Sequence, residues 1–491
     1  MVLSVVAKLA AMVRETVIAA IFGASVVTDA YGIAMVLPNL AVTLVSSALS
    51  SVAVPFFMDH QGLQERELAR RLFWLSTAIL MVVSVLLWLF GPALLAVVMT
   101  RLGSVEQRDT ATLMRWFTLL VLPSSFAALA SARLYARRRF GAASLAPALG
   151  TAVTALLVML LPHTVWALGF AFAAGAGLQW LVVGVGAASV HQGALLEDGV
   201  DGRAVSAWSV WRLMLPQMLS GAVGQINLLV DRVFAAYFLA VGSIAEMTFG
   251  SRLLDIPVAV FGSALATTLY PDLTQAASSG DSRTFTSILA RDIRRVTTLT
   301  LPISAWLLSA SFPISAALYG HGHFGPAATR MTARVLEAYA PLLTFRSVQG
   351  FVARAFYAQR DTLTLGRLSL VALPLNAMLD YLFMRLFGLV GIAAATTLVG
   401  ASYACTAFIV LVRRHRGLMS ELQGMFFVKL LFATLLWLGV TVVVMRPLAT
   451  QGVALQLIAS LILALFWIPT VRQLAPAEWT WLRSLVMLRA R

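Results

Sequence analysis

The sequence predicts an all-α polytopic membrane protein: about fourteen transmembrane helices in two pseudo-symmetric six-helix lobes plus two C-terminal helices, with both termini cytoplasmic. Three observations predict it: an apolar composition, uncharged runs of membrane-spanning length, and an internal repeat of six spans.

Of 491 residues, 60% are hydrophobic and only 12% charged, with a mean hydropathy of +0.87. Soluble domains carry about 25% charged residues, so that class is excluded. Runs such as FWLSTAILMVVSVLLWLFGPALLAVVM at 73–99 are long enough to cross a hydrocarbon core of about 30 Å. Spans are expected near 1–22, 32–58, 72–99, 115–132, 142–161, 164–190, 208–238, 245–270, 296–318, 332–353, 368–384, 388–412, 430–445 and 453–471. The runs are continuous rather than alternating, which selects helices over a barrel. The first 22 residues carry charges where a signal peptide needs an uninterrupted apolar core, so they read as the first span.

Orientation follows from Lys and Arg in the short loops. With a cytoplasmic N-terminus, 25 of the 36 fall on that side and 7 on the other. The net charge of +15 therefore orients the chain and meets anionic headgroups rather than nucleic acid. One cysteine, Cys405, excludes an internal disulfide and a cysteine-based metal cluster. No metal site is expected. His321 and His323 lie close together without an acidic or Cys partner nearby.

The repeat sets the domains. SALSSVAVP at 47–55 returns as SALATTLYP at 263–271, and ARLYARRRF at 132–140 as ARAFYAQRD at 353–361, offsets of 216 and 221 residues. The first offset places Glu15 opposite Asp231. Six spans per unit give both copies the same membrane orientation, the arrangement in which a substrate site lies at the repeat interface near the midplane. The expected division is an N-lobe over 1–190, a cytoplasmic linker over 191–207, a C-lobe over 208–415, and the last two spans with a cytoplasmic tail over 416–491.

Charges inside the spans are few: Lys8, Arg14, Glu15, Asp231, Arg232, Arg252, Asp255, Arg346 and Asp380. Each costs about 2.5–3.5 kcal/mol at mid-bilayer on insertion scales, so they mark either ion pairs clamping helices or a wet chamber between lobes. Arg14, Arg252 and Arg346 make that chamber cationic. A guanidinium stays charged and offers a planar fork matched to phosphate oxygens, so a phosphate-bearing substrate is expected. Glu15, Asp231 and Asp380 are candidates for ion coupling, with helix-packing hydrogen bonds as the alternative for each.

VRETVIAAIFGASVVTDAYGIAMVLPNL at 13–40 resembles the N-terminal signature of the MurJ/MviN family of lipid II flippases, and INLLVDRVFA at 226–235, LYGHGHFGPAAT at 318–329 and ARAFYAQRDT at 353–362 agree in order. The resemblance implies fourteen helices of the multidrug/oligosaccharidyl-lipid/polysaccharide exporter type. It implies movement of a polyprenyl-diphosphate-linked cell-wall precursor, lipid II, across the bacterial inner membrane by alternating access. It places Arg14, Asp29 and Arg252 in the substrate cavity, with Lys8 keeping the charge of a further family arginine; Arg346, mid-span in the tenth helix, is by its position a candidate replacement charge. The last two helices are implied to form an apolar groove for the lipid tail. Asp29 carries a plain alternative as an N-cap, with Thr28, in TDAYG.

One departure stands out. Where the family carries an Arg-Arg pair and then Glu-Gly, this chain has Val42, Thr43, Ser47 and Ala48. That raises a paralogue for another lipid-linked oligosaccharide, of exopolysaccharide or O-antigen type, or a non-transporting scaffold of an envelope-assembly complex. Expected partners are the lipid-linked glycan, membrane lipids and cell-wall synthesis enzymes, with the chain a monomer. No cofactor is expected. The chain has only two lysines, Lys8 and Lys429, and no nucleotide-binding loop, so the drive is expected from the membrane potential or an H⁺ or Na⁺ gradient. An enzyme is not expected, because the loops are short and the six histidines scattered. A multidrug antiporter is disfavoured by the cavity arginines.

Overall fold

The structure is a computed structural model that describes residues 2–48, 62–98, 104–137, 139–191, 207–259, 265–359 and 361–487. The repeat motif at 47–55 and the linker expected over 191–207 lie mostly outside these residues. All regular structure in the described residues is helical. Nine helical stretches among them are long and apolar enough to cross a membrane, and a tenth is counted if one bent pair forms a single span.

The chain divides into two units, residues 2–245 and 246–491. The first holds α1 (Val2–Phe22), α2 (Val26–Ala34), α3 (Val36–Ala48), α4 (Gly62–Val98), α5 (Ser104–Thr118), α6 (Val121–Ala136), α7 (Phe140–Leu160), α8 (Val165–His191) and α9 (Ala207–Phe238). Lipid tails are as apolar as leucine, so helices in a bilayer associate through close packing rather than a hydrophobic drive. Small residues accordingly mark the contacts: α7 packs on both α1 and α8. Leu134, Ala143, Ala146, Val183 and Ala187 form one buried cluster. Helix α9, expected to open the second lobe, packs on α3 and α4 within this unit.

The second unit holds α10 (Ser243–Pro257, from Glu246 onward), α11 (Leu265–Ser278), α12 (Ser282–Ser309), α13 (Ser311–Tyr319), α14 (Pro326–Tyr339), α15 (Leu342–Ala358), α16 (Thr362–Phe387), α17 (Leu389–Arg414), α18 (Leu418–Leu422), α19 (Gly424–Leu448), α20 (Val453–Leu465), α21 (Trp467–Leu474) and α22 (Pro476–Met487). Its core gathers Phe285, Ile293, Val296, Phe351, Phe356 and Leu411 from α12, α15 and α17. The span expected at 296–318 is broken: α12 and α13 meet at 72°. Pro313 has no N–H to give the Ser309 carbonyl, which stops the helix there. The hydroxyl of Ser311 donates to Glu337 at 2.7 Å beside the bend.

Helix boundaries carry the duplication. α5 ends at Thr118 and α6 starts at Val121; α14 ends at Tyr339 and α15 starts at Leu342, so each boundary recurs 221 residues on. A proline, Pro123 or Pro341, sits at the junction.

At the loop ends, caps replace lost backbone bonds. Asp361 accepts from the Thr364 N–H at 3.0 Å and the Thr364 hydroxyl at 2.6 Å, and pairs with Arg414 at 2.5 Å. These hydrogen bonds, the Thr364 hydroxyl foremost, hold its carboxyl down to about 2. The C-terminal helices are fixed similarly: Arg294 reaches Glu478 at 3.3 Å, and the Arg295 guanidinium lies 4.6 Å from the Trp481 ring.

Candidate functional site

In the first unit the site is built on α1. Arg14 and Glu15, neighbours in sequence, are joined by a 2.6 Å ion pair, with Glu15 only 1% exposed. Tyr31 of α2 donates its hydroxyl to the same carboxylate, 3.1 and 3.3 Å from its two oxygens. The guanidinium lies 4.7 Å from the centre of the Phe172 ring, and Tyr31, Phe117 and Phe172 pack together at 5.3–5.9 Å. Glu15 thus neutralises and orients Arg14 while the aromatic rings wall it in.

Arg14 lines a cavity of about 240 Å³ with Asn39, Ser124, Thr151, Phe172 and Gln179. The cavity is mid-depth by chain position, since Arg14, Thr151 and Gln179 each fall near the middle of their helices. Two glycines make room for it. A Cβ on Gly150 would stand 2.5 Å from the Gly175 carbonyl oxygen and 3.1 Å from Gln179 Cβ, so α7 and α8 cross with their backbones touching. Val42 is part of the same wall.

The other expected residues fall elsewhere. Lys8 is exposed on α1, six residues from Arg14 and so about 9 Å along the helix axis. Asp29 does not cap its own helix. Its two oxygens accept from the backbone N–H groups of Gly242, at 2.6 Å, and Ala245, at 2.8 Å, which open α10. Negative charge is favoured at a helix N-terminus, where the first N–H groups have no partner in the helix. The start of α2 is held instead by the Ser25 N–H donating to Thr28 Oγ1 at 2.9 Å. Asp231 and Arg232 are buried at 3% and 6% exposure, and Arg232 donates to the Gly32 carbonyl. Glu15 and Asp231, paired by the repeat, are thus both buried.

In the second unit, Arg252 pairs with Asp255 at 3.2 Å, both side chains more than a third exposed. Arg346 is exposed on α15. Asp380 is fully buried in α16, where Asn376 donates to it at 2.5 Å. An apolar groove of about 210 Å³ lies between α12 and the C-terminal helices, walled by Trp306, Trp437, Trp467 and Trp479. Among the described residues no group of three His, Cys, Asp or Glu is placed to hold a metal ion.

Reading charges alone misses Asn39, Ser124, Thr151, Gln179 and Tyr31. A signal was available for Gln179: a carboxamide inside the otherwise apolar run at 164–190 is itself costly in lipid.

Comparison with known proteins places the fold. A solved structure of lipid II flippase MurJ in an inward closed conformation superposes with a TM-score of 0.76 over 95% of this chain and 97% of that one, at 19% identity. An inward-facing multidrug resistance MATE transporter of the MOP superfamily gives 0.67 over 84% and 96%, at 13% identity. The fold is therefore the one that these two polytopic membrane transporters share. In sequence, the lipid II flippase MurJ of Burkholderia cenocepacia is 27% identical over 95% of each chain, and the probable lipid II flippase MurJ of Vibrio cholerae 27% identical over 86% of this chain and 82% of its own length. The profile described as lipid II flippase MurJ matches residues 18–463. The chain belongs to that family.

Proposed function

We propose that this chain is a flippase that carries lipid II, a polyprenyl-diphosphate-linked cell-wall precursor, from the cytoplasmic to the periplasmic leaflet of the bacterial inner membrane by alternating access. The family match over residues 18–463 carries this reading. The Arg14 cavity supports it, because a permanently charged fork at mid-depth meets what a diphosphate needs. The prenyl tail cannot cross water, since each methylene exposed costs about 0.8 kcal/mol. The tail stays in lipid, for which the tryptophan-walled groove is suited, while the headgroup passes through the protein.

In this reading the chain has fourteen spans with both termini cytoplasmic, acts as a monomer, and meets cell-wall enzymes at its cytoplasmic loops. Arg14 and Arg252 hold phosphate, with Lys8 and Arg346 supplying further positive charge. Asp29 belongs to the closure of the periplasmic side through its grip on the start of α10. The drive is the membrane potential or a cation. Asp380 is the better candidate for binding that cation, because it is fully buried and takes a hydrogen bond from the neutral Asn376 amide; Glu15 is occupied by Arg14 and Tyr31, and Asp231 remains a third candidate.

The test is complementation of a flippase-depleted strain. Growth with the wild-type gene and its loss with Arg14→Lys or Arg252→Ala is expected; growth unaffected by both changes would contradict the phosphate clamp. A paralogue for another polyprenyl-diphosphate glycan is the second reading, favoured by Val42 in the cavity wall where the resemblance calls for arginine. Failure to complement, with rescue of an exopolysaccharide or O-antigen flippase mutant, selects it. Failure of both, with envelope defects on deletion, selects a scaffold.

A further inference from the structure

The Arg14 cavity contains more polar chemistry than a phosphate requires. Gln179, Asn39 and Ser124 line it, and among the described residues none of the three spends its side chain on a hydrogen bond within the protein. Gln179 is half-buried near the middle of α8, in a span long and apolar enough to cross a membrane. A carboxamide there is unfavourable unless something pairs with it, because hydrocarbon offers no partner. Its position is also built: the backbone contact of Gly150 with Gly175 brings α7 within reach of Gln179 and sets it in the same wall system as Arg14.

Charge does not distinguish one headgroup from another in this cavity. It holds one guanidinium, offset by Glu15 at 2.6 Å, and an aliphatic side chain at Val42. A carboxamide, by contrast, has two donors and an acceptor, the complement of a hydroxyl or an N-acyl group. The size points the same way. At about 240 Å³ the cavity is smaller than the roughly 300–1,000 Å³ of pockets that enclose a whole small molecule, so its walls contact part of a headgroup, the ring nearest the phosphate.

We infer that Gln179, assisted by Asn39 and Ser124, is a specificity-determining residue that recognises the hydroxyl and N-acyl groups of the sugar directly attached to the diphosphate. This rests on the flippase reading: Arg14 takes the phosphate, and the next group along the substrate is that sugar. Gln179 reads what the lipid carries, whereas Arg14 reads only that it is a phosphate.

The test uses the purified full-length protein in lipid nanodiscs, with retention of two probes measured by native mass spectrometry: undecaprenyl diphosphate without sugar, and the same diphosphate bearing an N-acetylated sugar. Gln179→Leu is expected to weaken the sugar-bearing probe about tenfold, equivalent to about 1.4 kcal/mol, and to leave the sugar-free probe unchanged; that unchanged retention also shows the variant is folded. Arg14→Lys, by contrast, is expected to weaken both probes together. Equal loss of both probes in Gln179→Leu, or loss of neither, overturns the inference and leaves the flippase reading standing. A wild-type protein that retains neither probe overturns the flippase reading and the inference with it.

Discussion

Arg14 and Glu15 are adjacent in the chain and bonded to one another, Nη2 to Oε1, at 2.6 Å. Adjacent residues on a helix point about 100° apart, so this bond forms only because the long arginine side chain folds back. The pair also explains why a bare alanine scan misleads here. Removing one partner of a buried pair costs about 3–5 kcal/mol because the other charge is left uncompensated.

The first prediction follows. Arg14→Ala should lower the thermal midpoint of the purified protein, and Arg14→Ala with Glu15→Gln should restore most of it, because the orphaned carboxylate is gone. Complementation should fail in both. Recovered growth in the double variant would make Arg14 a structural residue only.

Asp29 and the start of α10 give the second. Its two bonds to N–H groups at 2.6 and 2.8 Å are charge-assisted, and hydrogen bonds to charged groups contribute about 1.5–3 kcal/mol. Asp29→Asn keeps the shape and one acceptor, so about half of that should be lost. Asp29→Ala should lose nearly all of it. Thermal unfolding in detergent and hydrogen exchange of the Gly242 to Ala245 amides would show both, with faster exchange confined to that stretch.

The helix crossing supplies the third. A methyl on Gly175 would meet Thr154 Oγ1 and the Gly150 carbonyl oxygen, and neither backbone can yield without separating α7 from α8. Gly175→Ala is therefore expected to destabilise by about 1–3 kcal/mol. It should also reduce ligand retention, since the crossing shapes the cavity. Gly177→Ala, two residues away with open space around its Cβ position, should do neither.

Asp361 gives a prediction with a pH dependence. Its carboxyl is held at about 2 in the folded chain, below the roughly 3.9 of a free aspartate. A depressed folded value means the stabilisation is fully present above the unfolded value and is lost as pH falls towards 2. Asp361→Ala should thus cost about 1 kcal/mol at pH 7, the worth of an N-cap. The gap between the two melting points should narrow as the buffer is taken from pH 4.5 to 2.5, and a gap independent of pH would contradict the capping role.

The fold class was legible because bilayer physics leaves few options: sustained apolar runs must be helices, and repeated motifs at a fixed spacing must be repeated elements. The break between α12 and α13 was not, because one proline in an apolar run is compatible with a straight or a bent span until Glu337 is seen beneath Ser311. Of the cavity, Arg14 was legible as a charge that lipid does not tolerate. Asn39 and Gln179 were not, since a carboxamide in a span is ambiguous between helix packing and ligand contact. Asp29 shows the limit most plainly. TDAYG suggests a local cap, and only tertiary structure reveals that the amides it serves lie more than two hundred residues away.

The central claim is that the Arg14 cavity receives a polyprenyl-diphosphate glycan, and mass spectrometry of lipid co-purified with the wild-type protein and with Arg14→Lys tests it most directly. The account predicts such a glycan with the wild-type protein and its depletion in the variant. Ordinary phospholipids alone on both, or the glycan retained equally by both, would contradict it.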